Sequence, residues 1–229
     1  MRRFMSSDFL AGFRGKMRQN PSPPDAQCLE KRAGLFQFTR PQPMEVEAQI
    51  RAAANLASDG PDALALVSGM RAAVPAGFVR DHSRTVLGHS NGVFTAARHA
   101  MEHWLAFDLG WVQVAHPRAP IATGQVVAVI AHTATLWSVN LSRIVETADT
   151  PRLFGFLYST TPAHVEQGEE RFLIEHHEDT GDVSYTIEAV SRPRSILAQL
   201  EYPYTRAMQH RFARESLARM RMAIKRETS

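Results

Sequence analysis

The feature that most constrains this fold is a run of six strand-length stretches with no helix-length segment between them. They lie at residues 112–116, 125–133, 138–146, 153–158, 172–176 and 183–190. The last is the clearest. Val183, Tyr185, Ile187 and Ala189 fall on one face of an extended chain, and Ser184, Thr186 and Glu188 on the other. Turn residues separate the stretches, among them Pro117 and Pro120, Asp149-Thr150-Pro151, and Asp179-Thr180-Gly181-Asp182. Connections this short cannot carry a parallel crossover, so the strands must meander antiparallel.

Two further elements frame the meander. Residues 77–89 alternate like an edge strand, and Asn91 is the expected cap of a helix running to about Phe107. That helix carries Val93, Phe94, Ala97, Met101 and Leu105 at 3.6-residue spacing. A long helix is expected from about Ser195 to Arg226, kinked or restarted at Pro203. Ala213, Leu217, Met220 and Ile224 fall on one side of it, and His210, Arg211, Arg214, Arg221 and Lys225 on the other. An antiparallel sheet with one face to bury and one long amphipathic helix to bury it gives an α+β fold. The expected architecture is a curved antiparallel sheet wrapped around the C-terminal helix, the helix-grip plan, with a cavity between them.

The expected organisation has three parts. Residues 1–34 form a basic extension ending in a linker (Asn20-Pro21-Ser22-Pro23-Pro24), residues 35–76 a helical segment, and residues 77–226 the helix-grip domain. Within the second part, residues 44–56 and the alanine-rich 62–73 both read as helical, packed on the domain as a lid. The first twenty residues hold a single acid, Asp8, a composition shared by transit peptides and by plain basic tails. The single cysteine, Cys28, excludes an internal disulfide and fits a cytoplasmic location. The longest apolar runs fall far short of the roughly 20 residues that cross a bilayer. A net charge of +3 with 44% apolar residues is ordinary for a globular chain.

Several stretches together resemble a bacterial and plant family catalogued as domain of unknown function 1990. They are GFVRDHSRTVLGH, FDLGWVQV, LWSVNLSRIVE, FGFLYSTTPAHVEQGEERF, VSRP and YPYTRAMQHRFARESLARM, in that order across roughly residues 77–222, with FQFTRPQPMEVEAQI a fainter match. The resemblance implies membership of the Bet v 1-like, START-related superfamily and hence a pocket, but no reaction. In the segment where members commonly read GFAYGTLPGHxExGEE, Ser159, Thr161 and Ala163 replace Gly, Leu and Gly. Tyr158, Pro162, His164, Glu166, Gly168, Glu169 and Glu170 match.

That segment also holds the candidate chemistry. Phe154, Phe156 and Tyr158 alternate on a strand, Pro162 interrupts it, and a polar crossing from His164 to Glu170 precedes the next strand. His164 and Glu166 are two apart, so their side chains share a face of extended chain. A carboxylate orienting an imidazole makes a general base near neutral pH. The alternative is that both bridge a long hairpin loop while Glu169 and Glu170 pair with arginines. Trp111, Trp137, Phe154, Phe156, Tyr158 and Tyr185 are candidate cavity walls, although aromatic residues in a sheet often serve as plain core. Tyr158, His164, Glu166, Glu169, Glu170 and Arg192 are candidate polar contacts.

His99 and His103 stand at i, i+4 spacing without a third ligand, and His176-His177 point to opposite strand faces, so no metal is assigned. No cofactor is assigned either. The basic helix face lacks interleaved aromatics, so a nucleic acid is not expected. The leading expectation is a protein that binds an apolar or amphipathic small molecule. A cavity hydrolase, lyase or isomerase using His164 with Glu166 is the first alternative. An interaction protein docking through its basic helix is the second.

Overall fold

The structure, a computed structural model, describes residues 36–194 and 202–227. The basic extension and linker of residues 1–34 lie outside the described residues, as do the expected first turns of the last helix.

Seven strands form one antiparallel sheet: β3 (Val79–His89), β4 (Val112–Val114), β5 (Val126–Thr133), β6 (Leu136–Asp149), β7 (Leu153–Thr160), β8 (Glu166–His176) and β9 (Asp182–Pro193). Their spatial order is β3-β9-β8-β7-β6-β5-β4, so β4 to β9 meander and β3 joins the far edge beside β9. Two residue pairs, β1 (Leu64–Ala65) and β2 (Gly69–Met70), make a separate small ribbon. Helix α1 (Pro43–Ala53) precedes it, α2 (Asn91–Glu102) follows β3, and α3 (Tyr202–Glu227) closes the chain. The sheet curls around α3, the expected helix-grip architecture.

Alternation along the strands sorts the two faces. Val127, Ile144, Phe154, Phe156, Phe172, Ile174, Val183, Tyr185 and Ile187 face inward, where they meet Met220, Ala223 and Ile224 of α3 and Phe94, Ala97 and Met101 of α2. On the outer face, Val126, Ala128, Ile130 and Leu141 receive Val46 and Ala53 of α1. Leu157, Leu173 and Val190 receive Leu64 and Leu66. Helix α1 is therefore on the side of the sheet away from α3, and not over the concave face.

Three local expectations are corrected. Residues 62–73 are extended rather than helical, because their first amides are claimed by Glu169, whose carboxylate accepts N–H groups from Asp62, Ala63 and Leu64 at 2.5, 3.1 and 3.0 Å. Three partners on one carboxylate outweigh alanine's modest helix preference. Helix α2 is capped by Ser90, whose Oγ accepts the Val93 N–H, and it ends at Glu102 before Trp104, which is left-handed at φ 54°. Strand β8 starts at Glu166, so most of the polar crossing is strand and the turn is only residues 161–165. Helix α3 is described from Tyr202, so the expected kink or restart at Pro203 falls at the edge of the described residues.

Several basic residues of α3 are engaged within the chain. Arg206 pairs with Asp81, Arg211 with Glu215 and Arg219 with Asp108. No helix among the described residues is long and apolar enough to cross a membrane.

Candidate functional site

Helix α3 packs against α2, β3 and the short 3₁₀ turn Leu105–Phe107, and stands off from β5 and β6. A cavity of about 700 Å³ fills the gap. Its apolar wall includes Phe107, Trp111, Val129, Ala131, Phe212 and Leu217. The acidic side chains facing it come from two strands, Asp81 on β3 and the pair Glu166 and Glu170 on β8; Glu169 also borders it but turns its carboxylate to the outer face. Strand parity explains the second pair, since residues 166, 168 and 170 share the face that carries Phe172 inward.

Each acidic group has a different partner. Arg206 clamps Asp81 with both terminal nitrogens, one at 2.6 Å, and His210 lies 3.4 Å away. Burial acts to raise the Asp81 carboxyl, but Arg206 and His210 prevail and hold it below the usual range. Glu166 accepts the Gln209 side-chain amide on both oxygens, at 2.9 and 2.7 Å. Glu170 accepts the Tyr158 hydroxyl at 2.5 Å. Burial pushes both glutamates up to about 7, against the pull of these hydrogen bonds. Burial also drives the Tyr158 hydroxyl well above its ordinary value, reinforced by the Glu170 charge.

His164 does not form the expected dyad. Its Nδ1 accepts the backbone N–H of Glu166 at 3.0 Å, while the Glu166 carboxylate turns to Gln209. The backbone turn brings the amide, not the carboxylate, within reach of the ring. Burial and the charge of Arg194 lower the imidazole to about 4, so it is neutral at pH 7 with Nε2 carrying the proton. Arg194 itself fastens the turn, donating to the carbonyls of Thr161, His164 and Glu166 and pairing with Asp59 at 2.7 Å.

The other candidates divide by parity and depth. Trp111 lines the cavity, its indole N–H donating to Glu215 at 2.6 Å and the Arg211 guanidinium lying 4.4 Å over its ring. Phe154, Phe156 and Tyr185 face inward but sit deeper, in the core with Trp104 and Phe107; the Tyr185 hydroxyl meets Ser216 at 3.1 Å. Trp137 belongs to the opposite face, stacked on His132 at 4.3 Å against the α1 cluster. Arg192 also points away, over the Phe78 ring, with Gln167 accepting its hydrogen bonds. The Glu169 carboxylate is on the outer face, held by the three amides described above. The three family departures are engaged locally: Ser159 Oγ accepts the Gly60 N–H at 2.9 Å, the Thr161 hydroxyl donates to the Leu141 carbonyl at 2.9 Å, and Ala163 is buried beside α1. His99 and His103 lie with ring centres 4.2 Å apart, and the described residues hold no group of three potential metal ligands.

Asp81, Gln209 and Asn140 are site residues that the sequence reading did not single out. Asp81 was legible by parity, because it precedes Ser83 and Thr85 on the face that pairs with Ile187 and Tyr185. Gln209 and Asn140 carry no signal in sequence, since each matters only through what α3 or β6 is laid against.

The raised glutamates make stability pH-dependent. A carboxyl whose folded value stands above its unfolded 4.5 stabilises the fold in its protonated form, and that contribution fades as pH rises toward about 7. Unfolding free energy should therefore fall by roughly 2 kcal/mol between about pH 5 and pH 8, after solvent screening. Urea titrations across that range should show a shallower fall for Glu170→Gln. An unchanged slope would mean that Glu170 is not the titrating group.

The family described as a domain of unknown function (DUF1990) matches residues 64–219. A UPF0548 protein of Dictyostelium discoideum is 34% identical over 155 residues, covering 63% of this chain and 72% of that protein. A UPF0548 protein of Arabidopsis thaliana is 30% identical over 146 residues, covering 61% and 70%. Among solved structures, the Zhui aromatase/cyclase from Streptomyces sp. R1128 aligns with a TM-score of 0.45 at 14% identity, covering 66% of this chain and 95% of that one. Ara h 8.0201 aligns with a TM-score of 0.40 at 11% identity, covering 63% and 98%.

Proposed function

The chain belongs to the DUF1990 domain-of-unknown-function family, and we propose that it binds a small amphipathic molecule between its sheet and α3. The observation that carries this reading is the cavity of about 700 Å³, whose apolar side chains are interrupted by a few inward polar groups. Ligand sites typically enclose about 300–1,000 Å³ and have that mixture of lining. An apolar body would lie against Trp111, Phe212 and Leu217, with a polar end toward Glu166 and Glu170.

The test uses the full chain and a fluorescent apolar dye, with native mass spectrometry of freshly purified protein as a second readout. Ala213→Trp places an indole in the cavity from α3, where the added bulk has open space to enter. It should weaken dye binding by at least about tenfold while the far-ultraviolet spectrum stays unchanged. Equal dye binding by the variant would end the cavity reading.

Acid–base chemistry is the second reading, favoured by one observation: Glu166 and Glu170 are both held near 7, where a carboxyl gives and takes protons readily. It requires a bound molecule to change mass on incubation with the protein and to stay unchanged with Glu170→Gln. Retention without conversion in both proteins would remove it.

A further inference from the structure

Resting on the cavity reading above, we propose that the molecule accommodated there is a cation, a protonated amine carried on an apolar body. Charge on the cavity wall is only partly matched. Of the four acidic residues bordering the cavity, Glu169 gives its carboxylate to outer-face amides and Asp81 is answered by Arg206. Glu166 and Glu170 receive hydrogen bonds only from neutral donors, the Gln209 amide and the Tyr158 hydroxyl, and neither forms an ion pair among the described residues. Two desolvated carboxyls without a counter-ion are costly, and a cation between sheet and helix would offset that cost.

The surroundings agree from every side. Around Glu166 stand Asp81 from β3 and Arg206 from α3; the Arg206 charge reaches Glu166, but its ion pair is with Asp81. Around Glu170 stand the acidic Glu166 on the same strand and Asp81 from β3, with Tyr158 from β7 and Tyr185 from β9, both uncharged. His164, from the β7–β8 turn, is neutral and brings no positive charge. Asn140, on the β6 wall, keeps a buried Oδ1 with no hydrogen-bond donor among the described residues. An ammonium has three N–H donors and no acceptor, the complement of a wall rich in oxygen acceptors. Arg214 and Arg221 also border the cavity, but their side chains are exposed, where water and salt screen them.

Decylamine, decanol and decanoate share one chain and differ in the head, so calorimetric titration of the full-length protein with each separates charge from apolar burial. At about pH 8 decylamine should bind at least about tenfold more tightly than decanol, and decanoate most weakly. The amine preference over decanol should shrink at about pH 5.5 as the glutamates take up protons, and should fall several-fold in Glu166→Gln and Glu170→Gln. Equal binding of amine and alcohol, or tighter binding of decanoate, would overturn the cation and leave the cavity reading standing. Failure of all three to bind at either pH, with Ala213→Trp indistinguishable from the parent, would overturn both.

Discussion

Glu188→Ala is expected to lower the free energy of unfolding by about 3–5 kcal/mol, read as a fall in the urea midpoint at unchanged slope. Glu188 is 0% exposed on the outer face of β9, and Arg171 beside it on β8 is 7% exposed. The two lie 2.6 Å apart, and Arg80 reaches the other carboxylate oxygen from β3. Arg171 also donates to the Leu66 carbonyl at 2.9 Å, so this pair ties the small β1–β2 ribbon to the sheet. Removing the carboxylate leaves a guanidinium buried with one carbonyl and no counter-charge.

The pair is itself incompletely satisfied, since Arg171 Nε and Glu188 Oε2 lack an aligned hydrogen-bond partner among the described residues. The double variant Glu188→Leu with Arg171→Met should therefore recover more than half of the loss, because apolar side chains suit a site flanked by Leu66, Leu157 and Leu173. A single-variant cost below about 1 kcal/mol would show that the charge is not effectively buried. A double variant as unstable as the single would show that the ion pair itself, and not the orphaned charge, matters.

How much of this was legible beforehand depended on where the partner of each residue lay. Residues Val183, Tyr185 and Ile187 declare their face because the alternation is local, and the same holds for Met220 and Ile224 on α3. Meandering order followed from short connections, and the curled sheet from having one helix to cover it. Residues 62–73 misled for the opposite reason: alanine favours a helix locally, whereas the carboxylate that claims their amides is 105–107 positions away. The crossing 166–170 looked like loop because its residues are polar. In the sheet, Glu166 and Glu170 face the cavity and Glu169 faces a cluster of backbone amides, so both sides of the strand are lined by polar partners.

Depth was less legible than parity. Phe154, Phe156 and Tyr158 share one face, yet Trp104 covers Phe156 while Tyr158 reaches the cavity. Nothing in the spacing of three aromatics says where the second layer above them ends. His164 and Glu166 meet through a bond that their spacing does not announce. Two residues apart on extended chain brings the side chains to one side, but the turn at 161–165 offers the ring an amide closer than the carboxylate.

Gly155→Ala is expected to cost about 3 kcal/mol or more, a large effect for one methyl group. Gly155 on β7 pairs with Leu173 on β8. A β-carbon there would lie 2.1 Å from the Phe172 carbonyl oxygen and 3.0 Å from the Leu173 Cα. Both are backbone atoms in the middle of a seven-stranded sheet, so no side-chain rotation relieves the overlap and the strands themselves must part. The same change at Gly92, in the first turn of α2, meets nothing nearer than Ser90 Oγ at 3.7 Å. There alanine should raise stability by up to about 1 kcal/mol through its better helix propensity. Opposite signs from one chemical substitution, measured by urea unfolding, would show that close approach of β7 to β8 sets the curl of the sheet. Because that curl creates the space beneath α3, Gly155→Ala should also weaken dye binding under conditions where it remains folded. A Gly155→Ala protein as stable as the parent, with undiminished dye binding, would show that the sheet keeps its curvature without this contact.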